Sequence, residues 1–218
     1  LQGTVAAMQQ TASDGPIAVL SISHTSPGRV LVLGPDATTP LFEHDPNRDW
    51  LDEGTVRAPE PCSATPPGAV PIQGWLLRPP GPGPHPLLLY IHGGPVLQYG
   101  DAFFHELQWL CAQGFAVLFG NPRGSQGYGH DFTWAIHKDW GTKPFIDLMA
   151  LVDAALARGG LDETRMGVLG GSYGGYMTLW TIGHTNRFRA ACAQRTVSLQ
   201  PAHHSTGALP RLARRHLH

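Results

Sequence analysis

Gly170-x-Ser172-x-Gly174, inside the run GGSYGG, is the spacing in this sequence that could do covalent chemistry. A sharp turn from a strand into a helix needs small residues on either side of its apex. Two glycines let the strand and helix approach, and a serine at the apex projects its hydroxyl as a nucleophile for acyl transfer. The spacing alone also arises by chance in a glycine-rich chain. Its context decides: MGVLGGSYGGYMTLW puts an apolar strand before the motif and a helical run after it. A phosphate cradle would instead need a Gly-Lys-Ser/Thr ending, which does not follow these glycines.

A hydrolytic serine also needs N–H donors aimed where negative charge develops. The residue after the nucleophile, Tyr173, offers one. A glycine-rich turn at a neighbouring strand end offers the other. His92-Gly93-Gly94-Pro95 follows directly on the apolar run LLLYI, so its glycines are the candidates. His92 itself reads as a packing or turn-bonding histidine. The segment Asn121–Gly129 (NPRGSQGYG) follows another apolar run, FAVLF, and so ends at the same sheet edge. Arg123 within it pairs either with a substrate carboxylate or with a neighbouring acid. The second, structural reading is preferred, and it extends to Trp140 and Asp147.

The elements that must position these groups are legible from periodicity. Residues 17–23, 30–33 and 40–44 are short β-type runs separated by turn signals, and predict a small antiparallel meander. Prolines at 59, 61, 66, 67 and 71 mark residues 57–71 as a linker. Beyond it, strands are predicted at 72–78, 87–91, 115–119, 166–169 and 190–193. Helices are predicted at 102–113, 144–158 and 176–182. Apolar strands alternating with helices predict an α/β fold, with a mostly parallel sheet covered on both faces. A nucleophile elbow on such a sheet is that of an α/β-hydrolase. Its serine would stand at the C-terminal sheet edge, where open α/β sheets bind ligands.

Composition excludes other classes. The formal net charge is −1 and charged residues are 14% of 218, so no basic face for nucleic acid is implied. No apolar stretch is long enough to predict a membrane span. The opening residues lack a charged segment followed by an apolar one, so a soluble, cytoplasmic protein is expected. Three cysteines without a Cys-x-x-Cys spacing suggest neither a zinc site nor a redox pair. Cys111 and Cys192 read as small core residues, and Cys62 as part of the linker. Oligomeric state is left open.

Three runs together, YIHGGP, NPRGSQGYG with DWG soon after, and GGSYGGYMT, resemble the prolyl oligopeptidase family of serine peptidases, in its acylaminoacyl-peptidase-like branch. The resemblance covers residues 72–198. It implies cleavage of short or N-acylated peptides through an acyl-enzyme, with Ser172 as nucleophile and the N–H groups of Tyr173 and Gly94 as oxyanion donors. It implies a peptide substrate and no metal or organic cofactor. Residues 1–56 resemble a remnant of the last blade of the β-propeller that precedes the hydrolase domain in that family. IQGWLLRP resembles that domain's first strand.

The sequence also departs from the family. PEPCSATPPGAVP lacks the Asp-Gly turn expected before IQGW. After AACAQRTVS the resemblance stops, and residues 199–218 have no strand or helix period and read as an aberrant tail on a C-terminally truncated domain. The order expected in this fold is Ser, then Asp or Glu, then His. No acidic residue follows Glu163, and His203, His204, His216 and His218 all lie in the tail. The chain is therefore expected to be inactive alone. The alternatives are a non-catalytic remnant and an esterase-like hydrolase; the specific runs NPRGSQGYG and GGSYGGYMT argue against the latter.

Overall fold

Strict alternation in β2 (Ile17–Ser23) buries Val19 and Ser21 while Ala18 and Leu20 face outward. That is the period of a half-buried antiparallel strand. β2 pairs with β1 (Thr4–Gln10) on one side and β3 (Ser26–Leu33) on the other, and β4 (Pro40–His44) completes a four-stranded meander. Val19, Leu31 and Leu33 form its small core. A computed structural model describes residues 3–10, 12–49, 51, 56–68 and 70–197. The predicted tail, 199–218, lies outside these. The chain divides into two units, Leu1–Pro59 with Gly100–Ala112, and Glu60–Tyr99 with Gln113–His218. The first holds the meander and α1 (His105–Ala112), whose buried Gln108 side chain donates to the Arg57 carbonyl at 2.8 Å and accepts from the Arg57 N–H at 2.9 Å.

The second unit is a six-stranded sheet with helices. In chain order its strands are β5 (Glu60–Pro61), β6 (Gly74–Leu77), β7 (His85–Ile91), β8 (Ala116–Gly120), β9 (Leu161–Gly171) and β10 (Ala190–Gln194). In space they run β10-β9-β7-β8-β6-β5. β7, β8, β9 and β10 are parallel, whereas β6 is antiparallel to β8 and β5 to β6. All residues of β6 and β8 are buried, which explains their uninterrupted apolar sequences. α3 (Thr142–Leu156) turns Leu148, Leu151, Val152 and Ala155 inward at helical spacing. Leu151 fits above the paired Gly74 and Gly120: β-carbons there would lie 2.9 and 2.7 Å from its methyls. The remaining helices are α2 (His130–Trp134) and α4 (Tyr173–His184).

The structure departs from the sequence-based expectation in several places. β1 and α2 were not expected. Residues 60–64, read as linker, run beside the sheet: the Cys62 N–H donates to the Gly74 carbonyl at 2.7 Å, and Ala64 bridges to Ile72. Pro61 fits there because an edge strand can do without one N–H donor. The cysteine assignment is reversed in part. Cys62 is fully buried in the core, and Cys192 is exposed because β10 is an edge strand among the described residues. Cys111 is buried as expected. No described helix is long and apolar enough to cross a membrane.

Candidate active site

From β7 the chain moves to β8 on one side and then to β9 on the other. The strand order therefore reverses at the boundary between β7 and β9. In open α/β sheets the crevice at such a reversal, outside the carboxyl ends, is where ligands bind. Two turns leave from it: His92–Pro95 after β7, and Ser172 between β9 and α4.

Ser172 adopts φ 59°, ψ −117°, a left-handed conformation that is unfavourable for any residue but glycine. The packing around it enforces this. Gly170 pairs with Ile91, and a β-carbon on Gly170 would lie 2.5 Å from the Ile91 carbonyl oxygen and 2.8 Å from the Gly174 carbonyl carbon. Strand, helix and neighbouring strand meet backbone to backbone, and Ser172 is the residue left at the bend. Serine at a helix N-cap normally turns its hydroxyl back onto the helix. Ser172 makes no such bond, and among the described residues its hydroxyl has no hydrogen-bond partner. The side chain is half-buried.

Tyr173 opens α4, so its N–H has no intrahelical acceptor. Its side chain is anchored in the interior: the phenol donates to the Trp140 carbonyl at 2.7 Å and stands edge-on to the Trp140 ring. Burial raises the phenol well above its ordinary pKa, so it stays protonated as a donor. Across the crevice, a β-carbon on Gly93 would lie 3.6 Å from Ser172 Cβ. Gly94 has φ 122° with the Val96 N 2.7 Å from where a β-carbon would stand, so glycine alone fits.

His92 ties this turn to the loop after β8. Its Nδ1 meets the Gly93 carbonyl at 2.6 Å and its Nε2 the Ser125 hydroxyl at 2.9 Å. Burial lowers its pKa, and the Gly93 carbonyl only partly opposes this. The ring is therefore a neutral brace between two loops, not a base at Ser172. Asn121, fully buried, does similar work: its amide accepts from the Tyr99 N–H at 2.7 Å and donates to the Tyr99 carbonyl at 2.8 Å and the Tyr128 hydroxyl at 2.7 Å.

Arg123 follows β8 at the same edge as Ser172 and Gly94, but it is occupied. Nε and Nη2 grip the fully buried Asp147 carboxylate at 2.7–3.1 Å, and the Arg123 N–H donates to it at 2.8 Å. Of the two readings of Arg123, the structure shows the ion pair with an acid. Sequence reasoning placed the segment that opens at Asn121 on this edge but gave Asn121 no role of its own, because its partner Tyr99 lies 22 residues away. Among the described residues no cluster of three His, Cys, Asp or Glu could hold a metal.

The sequence profile of the prolyl oligopeptidase family matches residues 101–216 of the 218. The chain belongs to this family. The match extends beyond Ser198, where the resemblance read from motifs stops. Among related family proteins, uncharacterized peptidase YuxL of Bacillus subtilis (strain 168) is 47% identical over 156 residues, covering 70% of this chain and 24% of that protein. Acylamino-acid-releasing enzyme 1 of Oryza sativa subsp. japonica is 32% identical over 113 residues, covering 51% of this chain and 15% of that enzyme. Uncomplexed Pyrococcus horikoshii acylaminoacyl peptidase superposes with a TM-score of 0.82 at 24% identity, over 92% of this chain and 32% of that one. That superposition establishes the α/β-hydrolase-type fold. The chain spans less than a third of the length of these relatives.

Proposed function

We propose that this chain carries the nucleophile and oxyanion half of a serine peptidase acting on short or N-acylated peptides. Ser172 Oγ attacks the scissile carbonyl. The N–H groups of Tyr173 and Gly94 receive the oxyanion, the tetrahedral intermediate expels the amine, and water releases the acyl group from Ser172. One observation carries this reading: Ser172 is held in a strained elbow at the sheet's reversal point with its hydroxyl uncapped. Family membership supports the reaction class, and the names of the relatives support peptides, N-acylated ones included, as substrates.

The hydroxyl proton must leave as the bond forms. None of the described histidines is hydrogen-bonded to Ser172, so turnover at full rate requires a base and its carboxylate from outside the described residues. A non-catalytic role is the second reading, favoured by that same unpartnered hydroxyl. A fluorophosphonate reagent separates the two, since it tests the serine itself. Slow labelling that maps to Ser172 and disappears in Ser172→Ala supports the nucleophile. Labelling elsewhere, or none, overturns it.

A further inference from the structure

The parallel strands all end toward Ser172, and the residue that follows β10 is Arg195. Its backbone is clamped. Gln194, before it, accepts the Ser172 N–H at 3.0 Å. Thr196, after it, packs onto Gly175, where a β-carbon would lie 3.2 Å from Thr196 Cα. Between these fixed points Arg195 takes φ 40°, a left-handed conformation unfavourable for a residue with a side chain. The result is a defined direction for that side chain. A β-carbon on Gly171 would lie 2.8 Å from Arg195 Nη2, 3.0 Å from Cζ and 3.1 Å from Nε. Three guanidinium atoms at nearly one distance mean that the group lies flat on Gly171, the residue next to the nucleophile.

Arg123, Arg165 and Arg187 of this unit are matched by acids, Asp147, Asp162 and Asp153, whereas Arg189 and Arg195 have no ion pair among the described residues. Arg195 is exposed. Its fork of donors lies against Gly171, one residue from the candidate nucleophile, and opens to solvent. A guanidinium fork matches the two oxygens of a carboxylate and binds them by parallel charge-assisted hydrogen bonds.

We propose that Arg195 binds a carboxylate of the peptide substrate, carried by an acidic side chain beside the scissile bond or by the free C-terminus. The inference rests on the reading of Ser172 as nucleophile for its place in a reaction, but not for its test. Binding is measured by calorimetry on the 218-residue chain carrying Ser172→Ala, so that nothing turns over. Two matched pairs of probes distinguish the sources. Acetyl-Glu-Ala-amide against acetyl-Gln-Ala-amide tests the side chain, and acetyl-Ala-Ala against its C-terminal amide tests the terminus.

In at least one pair the carboxylate probe should bind about tenfold more tightly, equivalent to about 1.4 kcal/mol. Arg195→Gln should abolish that advantage and Arg195→Lys should retain part of it. Both variants should keep the thermal midpoint of the parent, because the group is exposed. Equal binding within both pairs, or an advantage that survives Arg195→Gln, overturns the proposal. Fluorophosphonate labelling of the chain with Ser172 intact reports separately on the nucleophile, so either idea can fail without the other.

Discussion

Gly174 sits so close to Ile91 that a β-carbon on the glycine would overlap the isoleucine's carbonyl oxygen. The His92 carbonyl oxygen lies 2.9 Å from the same point. Both obstacles are backbone, so neither can rotate away. Gly174→Val should therefore destabilise the elbow, and Gly174→Ala should do so as well, because the first carbon already collides. Overpacking of this kind costs about 3 kcal/mol. At ~2–4 °C per kcal/mol for a chain of this size, the midpoint should fall by ~6–12 °C. Thermal unfolding of the variants beside the parent checks this, and equal midpoints would contradict the packing described.

The Arg123–Asp147 pair should behave as a buried unit. Removing the guanidinium with Arg123→Met leaves a fully buried carboxylate without its partner. That should cost about 3–5 kcal/mol. Replacing both, Arg123→Met with Asp147→Leu, should recover much of the loss, because no buried charge then remains. Denaturant unfolding of the two single variants and the double variant measures the coupling. Additive losses would show that the pair is not interacting as described.

Stability should fall as the medium is acidified through the histidine range. His92 has a folded pKa below its ordinary value because it is buried. The unfolded chain therefore binds a proton that the folded chain refuses. The contribution is complete above the unfolded value of about 6.5 and is lost as pH falls toward the folded value. His24 is shifted the same way, by burial that outweighs the attraction of Asp101. The thermal midpoint should drop between pH 7 and pH 5, and His92→Gln should flatten that slope without removing it. An unchanged slope would mean that His92 is not the buried neutral brace described.

The 218-residue polypeptide should hydrolyse an acetyl-alanyl chromogenic ester very slowly. In a well-studied serine protease, loss of the base alone lowers turnover on the order of 10⁶-fold. A comparable deficit against a full-length relative is expected here, with any residual rate lost in Ser172→Ala. Turnover within about tenfold of the relative, abolished in that variant, would mean that His203, His204, His216 or His218 completes the site.

Much of this arrangement was legible because local and global signals agree. Each apolar run from LLLYI to AACAQ became a strand, and GGSYGG became the bend between β9 and α4, since glycines at 170 and 174 admit one kind of packing. β1 escaped notice because all seven of its residues are exposed, so no alternation marks it. β5 escaped because Pro61, with Pro59 before it, signals a break, while an edge strand tolerates a proline. The roles of Asn121 and Arg195 were invisible for another reason. What each does depends on partners distant in sequence, Tyr99 and Gly171, which no spacing rule connects to them.

The bond from the Ser172 N–H to the Gln194 carbonyl has a consequence for synthesis of the chain. Translation proceeds from the N-terminus, so the serine emerges while the strand that fastens it is still being made. β9 can pair with β7 and α4 can begin to coil, but the bend between them lacks its lateral tie until Gln194 follows. Thr196 must then settle onto Gly175. A pause in translation between these positions would hold the nascent protein with its apex serine present and its geometry unfinished. The order of the strands thus makes assembly of the elbow a late event on the ribosome, although its motif is read well before β10.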